Sequence, residues 1–495
     1  MKKLFILPIC ALTLLAGCDF LQKEPLTSIT PSNFFTSPDD AESSLTAAYD
    51  ALQPSGAYGQ DLLTMGEMPS DNVTSLSNDV IALRNIAWTS GTGQVGNVFR
   101  QAYLGINRAN IVLKYVPTVT MDTARRSQIL GEARFVRGLC YFNLVRAYGG
   151  VPMHLAPAES ASPAELNLPR ASAEEVYAQV VNDLSQAAVQ MANVNPNRAT
   201  KKSANALLTR VQLTQRNWAA AQAAANKVIA NNIVLPPFRS LFPAENKGAE
   251  SLFEVQFAGT LDSGNGVPDL VLPFPLATYS FSKYNLPSDE LIAYADTVND
   301  QRWAFVGNVL TSGGGFIGRN HVSYIDCRKN RLPGTNAISD RGPFVYKSTS
   351  IGGNFNSVDN TYVLRYAEVL LAYAEAGNEL TGPSPDVLAK LNLVRQRAGL
   401  SALTTASPQA ASKQALRNEI DRQRRLELAF EGERWWDLVR YARHTAADAA
   451  ATHTVTALDI IAQRRTGVRD ANYLLFPIPQ AEINTNPQAK QNPGF

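Results

Sequence analysis
The sequence predicts a mainly α-helical body of paired helices, interrupted by one long loop-rich, partly β segment. Three observations carry this. Apolar residues recur at helical spacing through 39–234 and again through 361–495. Short turns part neighbouring helices, as at Arg216 and Asn217 and at Thr381, Gly382 and Pro383. Between these regions, 235–360 loses the periodicity and fills with Gly, Pro, Ser, Asn and aromatics. A chain of 495 residues with 45% hydrophobic and 18% charged residues is large enough to bury a sizeable core and is not of disordered composition.

The elements follow in order. Lys2 and Lys3 precede an apolar run at 4–15 that is too short to span a bilayer, so 1–17 reads as a secretory signal. Leu15, Ala16 and Gly17 lead directly into Cys18, the pattern of a bacterial lipobox that would lipidate Cys18 and make it the mature N-terminus. No later stretch is long and apolar enough to cross a membrane, so tethering rests on lipid. Residues 18–38 read as an extended tether and 39–495 as a single domain. Ser37, Pro38, Asp39 and Asp40 supply helix-start chemistry for 41–52, and 98–115 forms the next helix, with 65–96 read as loops around Trp88.

Residues 127–148 carry two apolar stripes, which predicts a helix packed on more than one neighbour, ended by Gly149 and Gly150. Further helices are expected at 172–192, at 202–215 with 218–231, and at 362–380 with 385–398. Their helix–turn–helix rhythm suggests tetratricopeptide-like repeats. Within 235–360 only short pieces such as 252–257 look like strands.

Composition also excludes function classes. The 45 basic residues match the 43 acidic ones once Lys2 and Lys3 leave, which is not the charge of a nucleic-acid binder. His154, His321, His444 and His453 are scattered, with no metal-ligand spacing, no nucleophile elbow and no phosphate loop, so neither metal, cofactor nor catalytic residue is expected. Only Cys140 and Cys327 remain in the folded body, and both are expected as free buried thiols. The stretch 422–440 mixes arginines, carboxylates and Trp435 and Trp436. Paired carboxylates beside tryptophans could form a glycosidase site. Glu427 and Glu431 lie on one helix face beside arginines, however, so structural ion pairing is the expected role.

The motifs resemble the SusD/RagB family of outer-membrane nutrient-binding lipoproteins. They come in family order: the lipobox at Cys18, then 131–152, 198–221, 364–380, 391–400, 424–443 and 476–495. Asp71 with Asn72 resembles the family's early Asp-Asn pair, and Asp300 to Arg302 its DxR-like motif. The resemblance implies four tetratricopeptide-like helix pairs with a variable part laid over them. It also implies a surface-exposed lipoprotein, without catalytic activity, that delivers an oligosaccharide, or less often a peptide, to a SusC-like TonB-dependent transporter.

Sugar binding asks for exposed aromatic rings on loops, with polar side chains beside them for the hydroxyls. That criterion sets aside Trp218, Trp435 and Trp436, which follow helix spacing. It selects Trp88, Tyr279, Phe281, Tyr284 and Trp303, with Asp71, Asn72, Arg84 and Gln94 as hydrogen-bonding neighbours of Trp88.

Overall fold
The computed structural model describes residues 34–242, 248–262, 264–329, 340–348, 352–443, 453–465 and 467–495. The signal, Cys18, the tether as far as residue 33, and His444 lie outside these. Eleven helices build the body: α1 (Pro38–Asp50), α2 (Asp61–Glu67), α3 (Gly93–Tyr115), α4 (Thr123–Tyr148), α5 (Ala173–Gln190), α6 (Lys201–Thr214), α7 (Trp218–Ile229), α8 (Tyr366–Thr381), α9 (Pro385–Arg397), α10 (Lys413–Glu427) and α11 (Arg434–Ala442). Their starts are written in the chain. Ser37 with Asp40 and Ser172 with Glu175 close capping boxes on α1 and α5, and Ser384 and Ser412 cap α9 and α10.

Packing runs helix by helix: α1 on α3, α4 on α3 and α5, α6 on α5 and α7, α8 on α7, α9 and α10. The pairs α1/α3, α4/α5, α6/α7 and α8/α9 make the expected number of four, and α2, between α1 and α3 in sequence, packs on α3 and α11. From Gly131 onward α4 is buried on nearly all sides except at Arg134, because its two apolar stripes meet α3 and α5. Cys140 and Cys327 are buried and free, and burial pushes the Cys140 thiol up to about 12.

The segment between α7 and α8 leaves and returns through two antiparallel strands, β2 (Ser251–Val255) and β8 (Thr361–Arg365), paired from Val255 with Thr361 to Ser251 with Arg365. The helix expected from residue 362 therefore begins only at Tyr366. The β-branched and aromatic run Thr361, Tyr362 and Val363 pairs with β2 first. Between them, β4 (Phe305–Leu310), β5 (Phe316–His321), β6 (Tyr324–Asp326) and β7 (Pro343–Val345) form an antiparallel meander in that order. The region 65–96, expected as loops, holds the end of α2 and a short helix at Ile81–Arg84.

The stretch 422–440 is two helices rather than one. α10 ends at Glu427, and the chain turns through Phe430 and Gly432, at φ 69° and 77°. Glu67 of α2 accepts the freed N–H groups of both, at 3.2 and 3.1 Å, before α11 begins.

Candidate ligand-binding face
Two loops far apart in sequence are stitched together on one side of the molecule. β1 (Val73–Thr74) pairs with β3 (Leu286–Pro287), and Ser288 donates its backbone N–H to the Asn72 carbonyl at 2.8 Å. Ser75 donates its hydroxyl to the Lys283 carbonyl at 2.8 Å. Asp79 accepts the Tyr284 hydroxyl on its carboxylate at 3.0 Å and the Gln94 amide on its carbonyl at 3.0 Å. The loop at 75–94, with Leu76 and Ile81 exposed on it, is thereby fixed against 279–287.

The second loop and the loop at 352–357 together form a cluster of three rings. Tyr279 and Phe355 stack at 5.9 Å with 23° between planes, and Phe281 lies 6.2 Å from Phe355. Tyr279 is 46% and Phe355 38% exposed, so both present ring surface to solvent. Buried Asp269 orders the cluster, accepting the N–H of Thr278 at 2.8 Å and of Phe355 at 2.9 Å. Tyr279 donates its hydroxyl to Asn354 Oδ1 at 2.6 Å. Lys283 reaches from below, its ammonium 3.7 Å from the Phe281 ring and bonded to the Asp269 and Tyr279 carbonyls, and burial pulls it down to about 8. Phe355 sits at φ 59°, a conformation that strains a bulky side chain and is kept here by its surroundings. The result is an exposed, positioned aromatic surface beside Asn354, suited to stacking on the apolar face of a pyranose.

The structure brings Tyr279 and Phe281 together around Phe355, whereas Tyr284 is buried and serves by holding Asp79 rather than by exposing its ring. It withdraws the other aromatic candidates. Trp88 is 2% exposed, 4.4 Å from Phe476 and 6.0 Å from Trp435, because aromatic residues from the C-terminal part of the chain close over it. Trp303 is fully buried against Tyr324 and Phe430, with its indole N–H on the Leu426 carbonyl at 3.3 Å. Asp71 and Asn72 are buried as well. Arg434 holds the Asp71 carboxylate at 2.9 and 3.0 Å, and Arg425 donates to Asn72 at 2.9 Å. Burial opposes ionisation of Asp71, but Arg434 and Arg425 outweigh it and keep its carboxyl at about 2. Arg84 offers its carbonyl to Arg464 at 2.9 Å, and Gln94 is engaged by Asp79. Residues 354 and 355 were not singled out from sequence. Their signal was an aromatic directly after Gly352, Gly353 and Asn354, a turn in a polar loop.

The carboxylates of 422–440 are committed to ion pairs, as expected. Glu427 meets Arg302 at 3.2 Å, Arg365 at 3.0 Å, and Arg397. Glu431 meets Lys347 and Arg365, each at 2.8 Å. Burial opposes their ionisation, and the surrounding guanidiniums, joined at Glu431 by the Lys347 ammonium, outweigh it, so both lie below the usual carboxylate range. A general acid needs the reverse shift.

A separate groove of about 700 Å³ runs along α3 beside the helix at Gln480–Thr485. Its rings are already engaged: Phe99 is buried against Tyr148, and Tyr103 donates its hydroxyl to the Pro152 carbonyl at 2.6 Å.

A helical-repeat scaffold thus presents a loop-borne aromatic face, while Glu427 and Glu431 are tied into ion pairs. The family follows from comparison. The model described as "SusD family" matches residues 300–495, and one described as "Starch-binding associating with outer membrane" matches 19–213. The chain belongs to the SusD/RagB-like family. It is 27% identical over 470 residues to SusD-like protein P2 of Formosa agariphila, covering 89% of this chain and 91% of the relative. A SusD-like protein of Bacteroides ovatus is 25% identical, with 90% and 83% covered. Among solved structures, a laminarin binding SusD-like protein shares the fold at TM-score 0.73 and 24% identity, over 93% of this chain and all 100% of that one. The surface glycan-binding protein A of Bacteroides uniformis does so at 0.73 and 22%, over 92% and 99%.

Proposed function
We propose that this protein is a surface lipoprotein of the outer membrane, anchored through Cys18, that captures an oligosaccharide on the Tyr279–Phe355 face. It then delivers the ligand to a SusC-like TonB-dependent transporter for import. The observation that carries the reading is the exposed stacked ring pair held by Asp269. Asn354 at its edge and Asp79 with Gln94 on the adjoining loop supply partners for sugar hydroxyls. The starch-binding description of the family model and the laminarin-binding and glycan-binding relatives support the ligand class. No helix among the described residues is long and apolar enough to cross a membrane.

Calorimetry of the purified protein against a panel of glycans, laminarin first, tests the reading. One glycan class should bind, without release of reducing sugar, and Tyr279→Ala should weaken it at least about tenfold. Failure of every glycan, binding of peptides instead, or hydrolysis by the pure protein would each overturn it. Cys18→Ser should shift the protein out of the outer-membrane fraction, and its retention there would remove the anchor.

A further inference from the structure
A second pocket, of about 630 Å³ and lined by none of the aromatic-face residues, opens between α1, residues 196–198 and β2. Two of the side chains lining it hold buried acceptors with no partner: Gln53 Oε1 and Glu254 Oε1. Gln53 is 9% exposed and Glu254 2%. The rest of each group is pinned. Gln53 donates its amide to the Gln256 carbonyl at 2.8 Å and to Asp262 Oδ2 at 3.2 Å. Glu254 accepts from Asn360 on its other oxygen at 3.0 Å.

The charge balance points the same way. Asp50 on the pocket wall is neutralised by Arg108, and Arg198 by Glu42. Glu254 and Asp262 have no cationic partner among the described residues. A carboxylate buried without a counter-charge loses solvation that nothing on the protein returns. Glu254 is such a carboxylate; with the exposed Asp262 and the orphaned Gln53 oxygen it makes an acceptor-rich cluster, which asks for a ligand that brings donors and positive charge. A metal ion fits poorly. Among the described residues no three His, Cys, Asp or Glu side chains are placed to hold one, and calcium asks for six to eight oxygens. The volume is that of a small-molecule site. An ammonium group carries three donors, one for each of Gln53, Glu254 and Asp262. Ser43 and Asn197 on the same walls suit hydroxyls.

We propose that this pocket binds a compact polyol bearing a primary ammonium, of the amino-sugar class, as a second ligand site. The site is independent of the aromatic face and does not rest on the glycan reading. The test is calorimetry of the full chain with glucosamine at about pH 6, where its amine is charged. N-acetylglucosamine serves as the neutral counterpart, with calcium as a third arm. Glucosamine should bind, and N-acetylglucosamine and calcium should not. Asp262→Asn, at an exposed position, should weaken glucosamine about tenfold, the effect of one charged hydrogen bond. Glu254→Gln keeps the acceptor facing Asn360 and turns an amide donor toward the ammonium, so it should abolish binding while the protein still melts cooperatively. Tyr279→Ala should leave glucosamine binding unchanged. Equal binding of the acetylated sugar, binding of calcium in place of glucosamine, no binding at all, or an unchanged Asp262→Asn variant overturns the proposal. None of these outcomes bears on glycan capture at Tyr279, which is read with neutral glucans.

Discussion
Glu431 answers two cations at once, Lys347 on one oxygen and Arg365 on both, and lies half-buried between these two buried cations. Removing it would leave two buried cations short of a counter-charge. Glu431→Ala should therefore cost about 3–5 kcal/mol in denaturant unfolding. Because Glu431 stands apart from the exposed rings, the folded fraction should keep its ligand affinity. Asp71 gives a pH-dependent test. Its carboxyl lies at about 2 against an ordinary 3.8, so the stability it adds is complete above 3.8 and lost as pH falls through about 2. The gap in melting temperature between wild type and Asp71→Asn should be widest above about pH 4 and close toward pH 2. Glu67 acts oppositely in another window. Burial raises it from 4.5 to about 7, so it withdraws stability as pH climbs between those values.

At the scale of elements, the loop at 352–357 aims one ring at a cost in backbone strain. Phe355→Gly relieves that strain while losing the exposed ring and adding chain entropy, each worth about 1 kcal/mol. Stability should thus stay within about 1 kcal/mol of wild type, and glycan affinity should fall at least about tenfold, read by calorimetry beside a melting curve. Loss of stability with affinity retained would show a merely structural loop. The helix α2 offers a steric counterpart. A Cβ on Gly66 would stand 1.9 Å from the Gly432 carbonyl oxygen, backbone that cannot step aside. Gly66→Ala should cost about 3 kcal/mol or more in chemical denaturation. The helices themselves were legible because spacing and caps are local. The break of 422–440 at Phe430 was not, since it depends on Glu67, more than three hundred residues away in the chain, accepting the exposed N–H groups.

Across the whole molecule, one ion network joins its parts. Arg302 belongs to the loop-rich segment, Arg365 to β8 and Arg397 to α9, and all three converge on the carboxylate of Glu427 in α10. The variable segment is therefore expected to unfold together with the repeats, as a single calorimetric transition, and two resolved transitions would contradict this. The sequence alone determined the repeat scaffold, the family and the structural fate of the charged stretch, because each rests on local periodicity or on ordered motifs. Tertiary structure decided which aromatics face solvent. Trp88 and Trp303 looked like loop aromatics but were claimed by rings and carbonyls from remote segments, and Phe355 was placed beside Tyr279 by Asp269. Exposure of a loop ring depends on what the rest of the chain folds over it, and no window of neighbouring residues contains that information.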